Sequence, residues 1–266
     1  MSGSGQIGVV ELLIFYGVLL LPLLMLWCLG LKDLVKNLLV GVGRMTLQLA
    51  MIGVYLEFLF AQNSLVLNLL WLAIMLLVAN WHILSRAGLS ITSLFMVSLF
   101  SVFFGVGLVL VAMIVLVQPE PWFSSRYLIP LAGMLLGNCL TGNILVLERF
   151  YSSVSERYEQ YMGDLLLGAS RLEALQPFIR GALKSAISPL VATLSTLGLV
   201  ALPGMMTGQI LGGAEPVDAV MYQLMIMLGI ASSMILCAII NLMLNIRVSF
   251  DRYGLMDFSM IKAESR

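Results

Sequence analysis

The stretch TSLFMVSLFSVFFGVGLVLVAMIVLV, residues 92–117, carries no charged side chain from end to end. A helix needs about 20 consecutive apolar residues to cross the hydrocarbon of a bilayer, and lipid offers no partner to an open backbone, so a run of this kind reads as a transmembrane helix. Comparable runs lie near 8–29, 45–61, 64–84, 127–147, 187–211 and 219–245. The expected fold class is therefore an all-α membrane protein of about seven transmembrane helices, with residues 1–266 forming a single transmembrane domain.

Composition agrees. The 266 residues are 61% hydrophobic and 11% charged, with a mean hydropathy of +1.04, against roughly 25% charged in soluble domains. Lys+Arg and Asp+Glu stand at 14 each, and a balanced charge excludes nucleic acid as a partner, because phosphate binding needs a basic surplus.

Cations resist translocation, so their distribution sets the orientation. Threading the runs in turn puts Lys32, Lys36, Arg44, Arg86, Arg149, Arg157, Arg171, Arg180, Lys184, Arg247, Arg252, Lys262 and Arg266 on one side, leaving only Arg126 of the 14 on the other. The cation-rich side is the cytoplasm. Met1 to Val10 carries no Lys or Arg, so the first run reads as a retained helix rather than a cleaved signal, with the N-terminus outside and the C-terminus cytoplasmic. Cys28, Cys139 and Cys237 all fall inside runs and read as small packing residues.

One cytoplasmic loop, 148–184, has any size. Leu147, Tyr151, Val154, Tyr158, Tyr161 and Leu165, then Leu172, Leu175 and Ile179, recur at spacings of three and four, which draws one apolar stripe on a helix. Gly168-Ala169-Ser170 interrupts it. Gly168 suits a left-handed helix stop, and Ser170-Arg171-Leu172-Glu173 has the form of a capping box. A helix, a sharp turn and a second helix follow, with another break expected at Pro177 because proline removes a backbone donor. Such a loop fits either an amphipathic helix lying on the membrane or an element on which a motor pushes. The chain holds no G-x-x-x-x-G-K-[ST] phosphate loop, so an ATP-driven reading needs its ATPase on another polypeptide.

The segments GRMTLQLAMIGVYLEFLF (43–60), IPLAGMLLGNCLTGN (129–143), LLLGAS (165–170) and above all LGLVALPGMMTGQILGG (197–213) resemble the FetB-type ABC transporter permeases. That family is implicated in iron export, and its plant relatives in aluminium tolerance. The resemblance implies a permease subunit in the plasma (inner) membrane, a permease homodimer, and a separate FetA-like ATP-binding subunit holding ATP and Mg, with no cofactor or catalysis in this chain. It makes 148–184 a cytoplasmic coupling loop with Asp164, Gly168, Ala169, Ser170 and Glu173 as its contacts. Met162-Gly163-Asp164 stands where importer coupling loops carry Glu-Ala-Ala.

Within the membrane, Pro203-Gly204 is expected to kink or unwind the sixth run, either as a gate or as a tight contact through Gly204, Gly208 and Gly212. Glu57 is the one carboxylate well inside a run, and a charge there costs about 2.5 to 3.5 kcal/mol. It reads as a metal contact on the outward path, together with Glu11, or as a side chain that snorkels. Asn138 and Asn143 line the path or join helices, His82 beside Trp81 anchors the third run, and the 18 methionines fill the interior. The competing class is a proton-coupled secondary transporter using Glu57. An intramembrane hydrolase is excluded for want of a nucleophile and base pair.

Overall fold

The computed structural model describes residues 8–261, so the charge-free residues 1–7 and the cations Lys262 and Arg266 lie outside the described residues. The chain packs as two units, one ending at Gln62 and the other beginning at Asn63.

The first unit is α1 (Val9–Cys28) and α2 (Lys32–Gln62). They are joined across a turn that needs Gly30 at φ +80. The Tyr16 hydroxyl lies 2.6 Å from Thr46 Oγ1. Because Thr46 Oγ1 itself donates to the Val42 carbonyl at 2.8 Å, Tyr16 is the donor between the helices. With 31 residues, α2 is about 46 Å long. Its first half carries Lys32, Lys36 and Arg44, so these cations sit on helix and not in a loop, and the expected run 45–61 is only its apolar end.

The second unit contains α3 (Leu65–Arg86), α4 (Ile91–Val117), α5 (Ser125–Glu156), α6 (Tyr158–Leu166), α7 (Arg171–Thr196), α8 (Gly204–Leu211) and α9 (Pro216–Ser249). Here α9 packs on α4 and α5, and α5 also packs on α3 and α7. Lipid tails are as apolar as leucine, so burial does not drive such helices together and close fit must. Glycine supplies it at three places. A Cβ on Gly105 would overlap the Cys237 Sγ, one on Gly142 would fall 2.6 Å from Met234 Cγ, and one on Gly229 would fall 2.8 Å from Met113 Sδ. The described residues of this chain make no close approach at Gly204 or Gly208. Nothing stands within 4 Å of a Cβ on either.

Six helices, α1 to α5 and α9, are long and apolar enough to cross a membrane, and the molecule is a multi-pass membrane protein. The remaining apolar run, 187–211, is divided: α7 stops at Thr196, residues 197–203 are not helical, and α8 resumes at Gly204. Pro203 is the N-cap of α8, where its missing donor is no loss. Pro22, Pro130, Pro177 and Pro189 are carried within helix. The break expected at Pro177 does not occur, since α7 continues through Pro177 and Pro189. Pro177 lies on the exposed face of α7 while Ala174, Leu175, Phe178 and Ile179 are buried beside it. That packing offsets the roughly 3 kcal/mol cost of an interior proline.

Candidate functional site

The residues with chemistry to offer gather at three places: the elbow between α6 and α7, a seam along α9, and the broken span around α8.

At the elbow, α5 runs to Glu156, well into the loop read from the sequence, and the chain bends at Arg157 before α6. Two backbone bonds close α6: the Gly168 amide donates to the Leu165 carbonyl at 3.0 Å and the Ala169 amide to the Asp164 carbonyl at 3.1 Å. This crossed pair is a Schellman motif, and it holds Gly168 at φ +94, a conformation that glycine adopts without a Cβ penalty. Ser170 then caps α7: its hydroxyl accepts from the Glu173 amide at 3.4 Å, while the Glu173 carboxylate accepts from the Ser170 amide at 2.8 Å. The bonds to Ser170 hold the Glu173 carboxyl below its ordinary pKa. Asp164, Gly168, Ala169, Ser170 and Glu173 thus share one turn. Its tip presents Leu166 and Leu167, 84% and 88% exposed.

Behind the tip lies an aromatic cluster that the apolar stripe only partly announced. Leu147, Tyr151, Val154, Tyr161 and Leu175 are buried as the spacing suggests, but Leu172 is exposed and Phe178 takes the inward place. Tyr161 is fully buried, its ring edge-on to Phe250 at 5.8 Å and Phe178 at 6.5 Å. Its hydroxyl donates to the Gly254 carbonyl at 2.6 Å. Burial, and next to it the neighbouring Tyr158, pushes its pKa up to about 12. The Arg157 guanidinium stands 4.8 Å over the Phe178 ring. Arg171 donates to the carbonyls of Phe250 and Asp251 at 3.4 and 3.3 Å. The partners Phe250, Asp251 and Gly254 belong to the segment after α9, which the sequence reading treated only as a tail. That segment also reaches the turn before α4, where the Ser90 amide donates to the Met260 carbonyl at 2.8 Å.

Along α9 the polar residues Ser233, Cys237, Asn241, Asn245 and Ser249 recur every fourth position, and all are 0% exposed. Asn241 Nδ2 donates to Asn143 Oδ1 on α5 at 2.8 Å and to Ser98 Oγ on α4 at 3.1 Å. Asn245 Nδ2 donates to Asn241 Oδ1 at 2.6 Å. The Cys237 thiol donates to the Val102 carbonyl on α4 at 3.9 Å, and Ser249 shares a 2.5 Å bond with Tyr151. Three membrane helices are therefore tied along one line, the last member of which adjoins the elbow. The signal was legible as a period of four in an apolar run, but of the seam's residues Cys237 was read only as a packing residue and Asn143 alone as a polar tie. It serves as a tie between helices. Asn138 does not: it is exposed and bonds the Met134 carbonyl of its own helix at 2.9 Å.

Glu57 is exposed on α2, and Glu11 is exposed on α1. The described residues contain no group of three His, Cys, Asp or Glu side chains placed to hold a metal ion. His82 is half-buried, its ring 6.4 Å from the exposed Trp81.

At the broken span, Gly198 at φ +82 turns the chain out of α7, and Leu199 and Val200 are 91% and 83% exposed. The short α8 packs on α9 and walls a small cavity of about 290 Å³ shared with α5.

Residues 9–250 match the model of the family described as "Uncharacterised protein family (UPF0014)". The chain belongs to this family. Among UPF0014 relatives, a membrane protein of Synechocystis sp. is 36% identical over 73% of this chain and 76% of its own length. YjkA of Bacillus subtilis is 34% identical over 78% and 82%. The "Probable iron export permease protein FetB" of Escherichia coli is 33% identical over 80% and 81%. No solved structure matches the chain.

Proposed function

We propose that this UPF0014 protein is the permease subunit of an ABC transporter that exports iron or another metal, driven by ATP hydrolysed in a separate subunit. The observation that carries this is the elbow: two capped helix ends meeting at Gly168, with Leu166 and Leu167 turned outward and an aromatic anchor behind. Exposed leucines at a rigid tip want a partner, because large apolar side chains outside the membrane gain about 1.5–3 kcal/mol each on burial. A push on the tip passes through Tyr161 and Arg171 to the end of α9, and from there to the seam joining α4, α5 and α9. Contiguous packing of this kind transmits a displacement that a floppy loop would absorb. The metal cargo and its outward direction rest on the name of the Escherichia coli relative. A permease homodimer would bring two such elbows to two ATP-binding subunits.

The test is to purify the tagged chain from its own cells. The expected result is that a subunit with a Walker-type phosphate loop comes with it, and that vanadate stops metal efflux from vesicles containing both. Efflux driven by a proton gradient in the absence of any ATPase would replace this reading with the secondary transporter built on Glu57.

A further inference from the structure

At the end of the second unit where α5 begins, a cavity of about 290 Å³ opens between α5, α8 and α9. Its polar lining is Arg126, Tyr127, Gln209 and Tyr222, with the Met205 thioether on the α8 side. Three features give it a chemical preference. First, no lining residue is acidic, and Arg126 is exposed: among the described residues no ion pair or hydrogen bond holds its guanidinium, unlike that of the half-buried Arg171. A guanidinium keeps its charge at any physiological pH and offers a planar fork of donors suited to carboxylate or phosphate. Second, Gln209 Oε1 is buried and has no partner. A buried amide oxygen left open is costly, and a ligand that brings a hydroxyl would satisfy it. Third, Met205 and Gln209 both belong to α8, the piece isolated by the unwound 197–203 segment. One wall of the cavity thus sits on a short helix that packs on α9, with exposed Gly204 and Gly208 on it.

We propose that this cavity is a binding site for a small hydroxylated oxyanion, held by Arg126 through its carboxylate or phosphate and by Gln209 through a hydroxyl. The lone guanidinium repels a bare metal cation and accepts a metal wrapped in an anionic chelate, so the site deepens the export reading without depending on it: transport rests on the elbow, anion binding on Arg126.

The experiment uses the full chain in lipid nanodiscs and equilibrium dialysis with three probes: citrate, ferric citrate and ferrous ion alone. Citrate is expected to bind saturably, and Arg126→Gln to weaken it at least tenfold while Arg126→Lys weakens it less. Gln209→Leu is expected to weaken citrate more than it weakens inorganic phosphate, which lacks the carbon-borne hydroxyl. Ferric citrate bound more tightly than citrate marks a chelate as the ligand, and equal binding marks the free acid; either supports the site. Ferrous ion binding that outcompetes citrate, or citrate binding unchanged in Arg126→Gln, overturns it. Arg126 is exposed, so the variant folds, and an unchanged melting curve checks this. Metal export that fails while citrate binding survives removes the transport reading and leaves the site.

Discussion

Gly168 holds φ at +94 with two backbone bonds closing over it. A Cβ would not strike a neighbour there, so the penalty for replacing it is conformational, of order 1–3 kcal/mol for a β-branched residue. Gly168→Val is expected to leave the protein inserted and assembled while ATP hydrolysis continues with metal efflux reduced, measured side by side in reconstituted vesicles. Equal reduction of both would mean that the turn merely holds the fold. Asn241 makes the opposite kind of prediction. It donates to Asn143 and Ser98 and accepts from Asn245, so Asn241→Leu strands three polar groups at lipid depth. In membranes such ties are worth about 0.6 to 1.7 kcal/mol each, and the variant is expected to lose about 1–3 kcal/mol, read by denaturant titration in detergent. Asn138→Leu, whose amide only reaches its own helix, is expected to be near neutral.

The helix ends carry the pH dependence. The Glu173 carboxyl is lowered by its bonds to Ser170, so the capping box contributes fully above the ordinary carboxyl range and is lost as pH falls through the depressed value. Hydrogen exchange at the first turn of α7 is expected to speed up, relative to the rest of the helix, once pH falls below the ordinary carboxyl range in the native chain. In Ser170→Ala it is expected to be fast at every pH, with α7 weaker by about 1 kcal/mol. At the alkaline end the sign reverses. Tyr161 is pushed up to about 12 chiefly by burial, so its neutral form stabilises the elbow up to about pH 10 and that contribution fades between pH 10 and 12. Tyr161→Phe, which loses the bond to Gly254, removes this alkaline loosening, and near-ultraviolet circular dichroism would show it.

At the scale of the molecule, the sequence spoke most clearly where lipid dictates the answer. Uninterrupted apolar runs had to become helices, and α1 to α5 and α9 are those helices. Local motifs were equally legible: the Ser170 cap and the left-handed Gly168 depend on neighbours three or four residues away. What escaped was decided by distant partners. Pro177 continues a helix because Phe178 and Ile179 are buried around it, and the tail after α9 matters because Tyr161 and Arg171 reach it from some 80 to 90 residues upstream. Glycine followed the same rule. Gly105, Gly142 and Gly229 became the close contacts, while Gly107 and Gly137 beside the first two, and the regularly spaced Gly204 and Gly208, face open space.

The account turns on the tip of the elbow being held by a motor subunit. With Cys28 replaced by serine and Cys139 and Cys237 buried, a cysteine at Leu167 offers a single reactive handle at an 88% exposed position. Carrying a short photo-crosslinker in native membranes, Leu167→Cys is expected to capture one polypeptide bearing a Walker-type phosphate loop, and to be shielded from thiol reagents added outside intact cells. Adducts with lipid alone, or labelling of that cysteine from the outside, would contradict it.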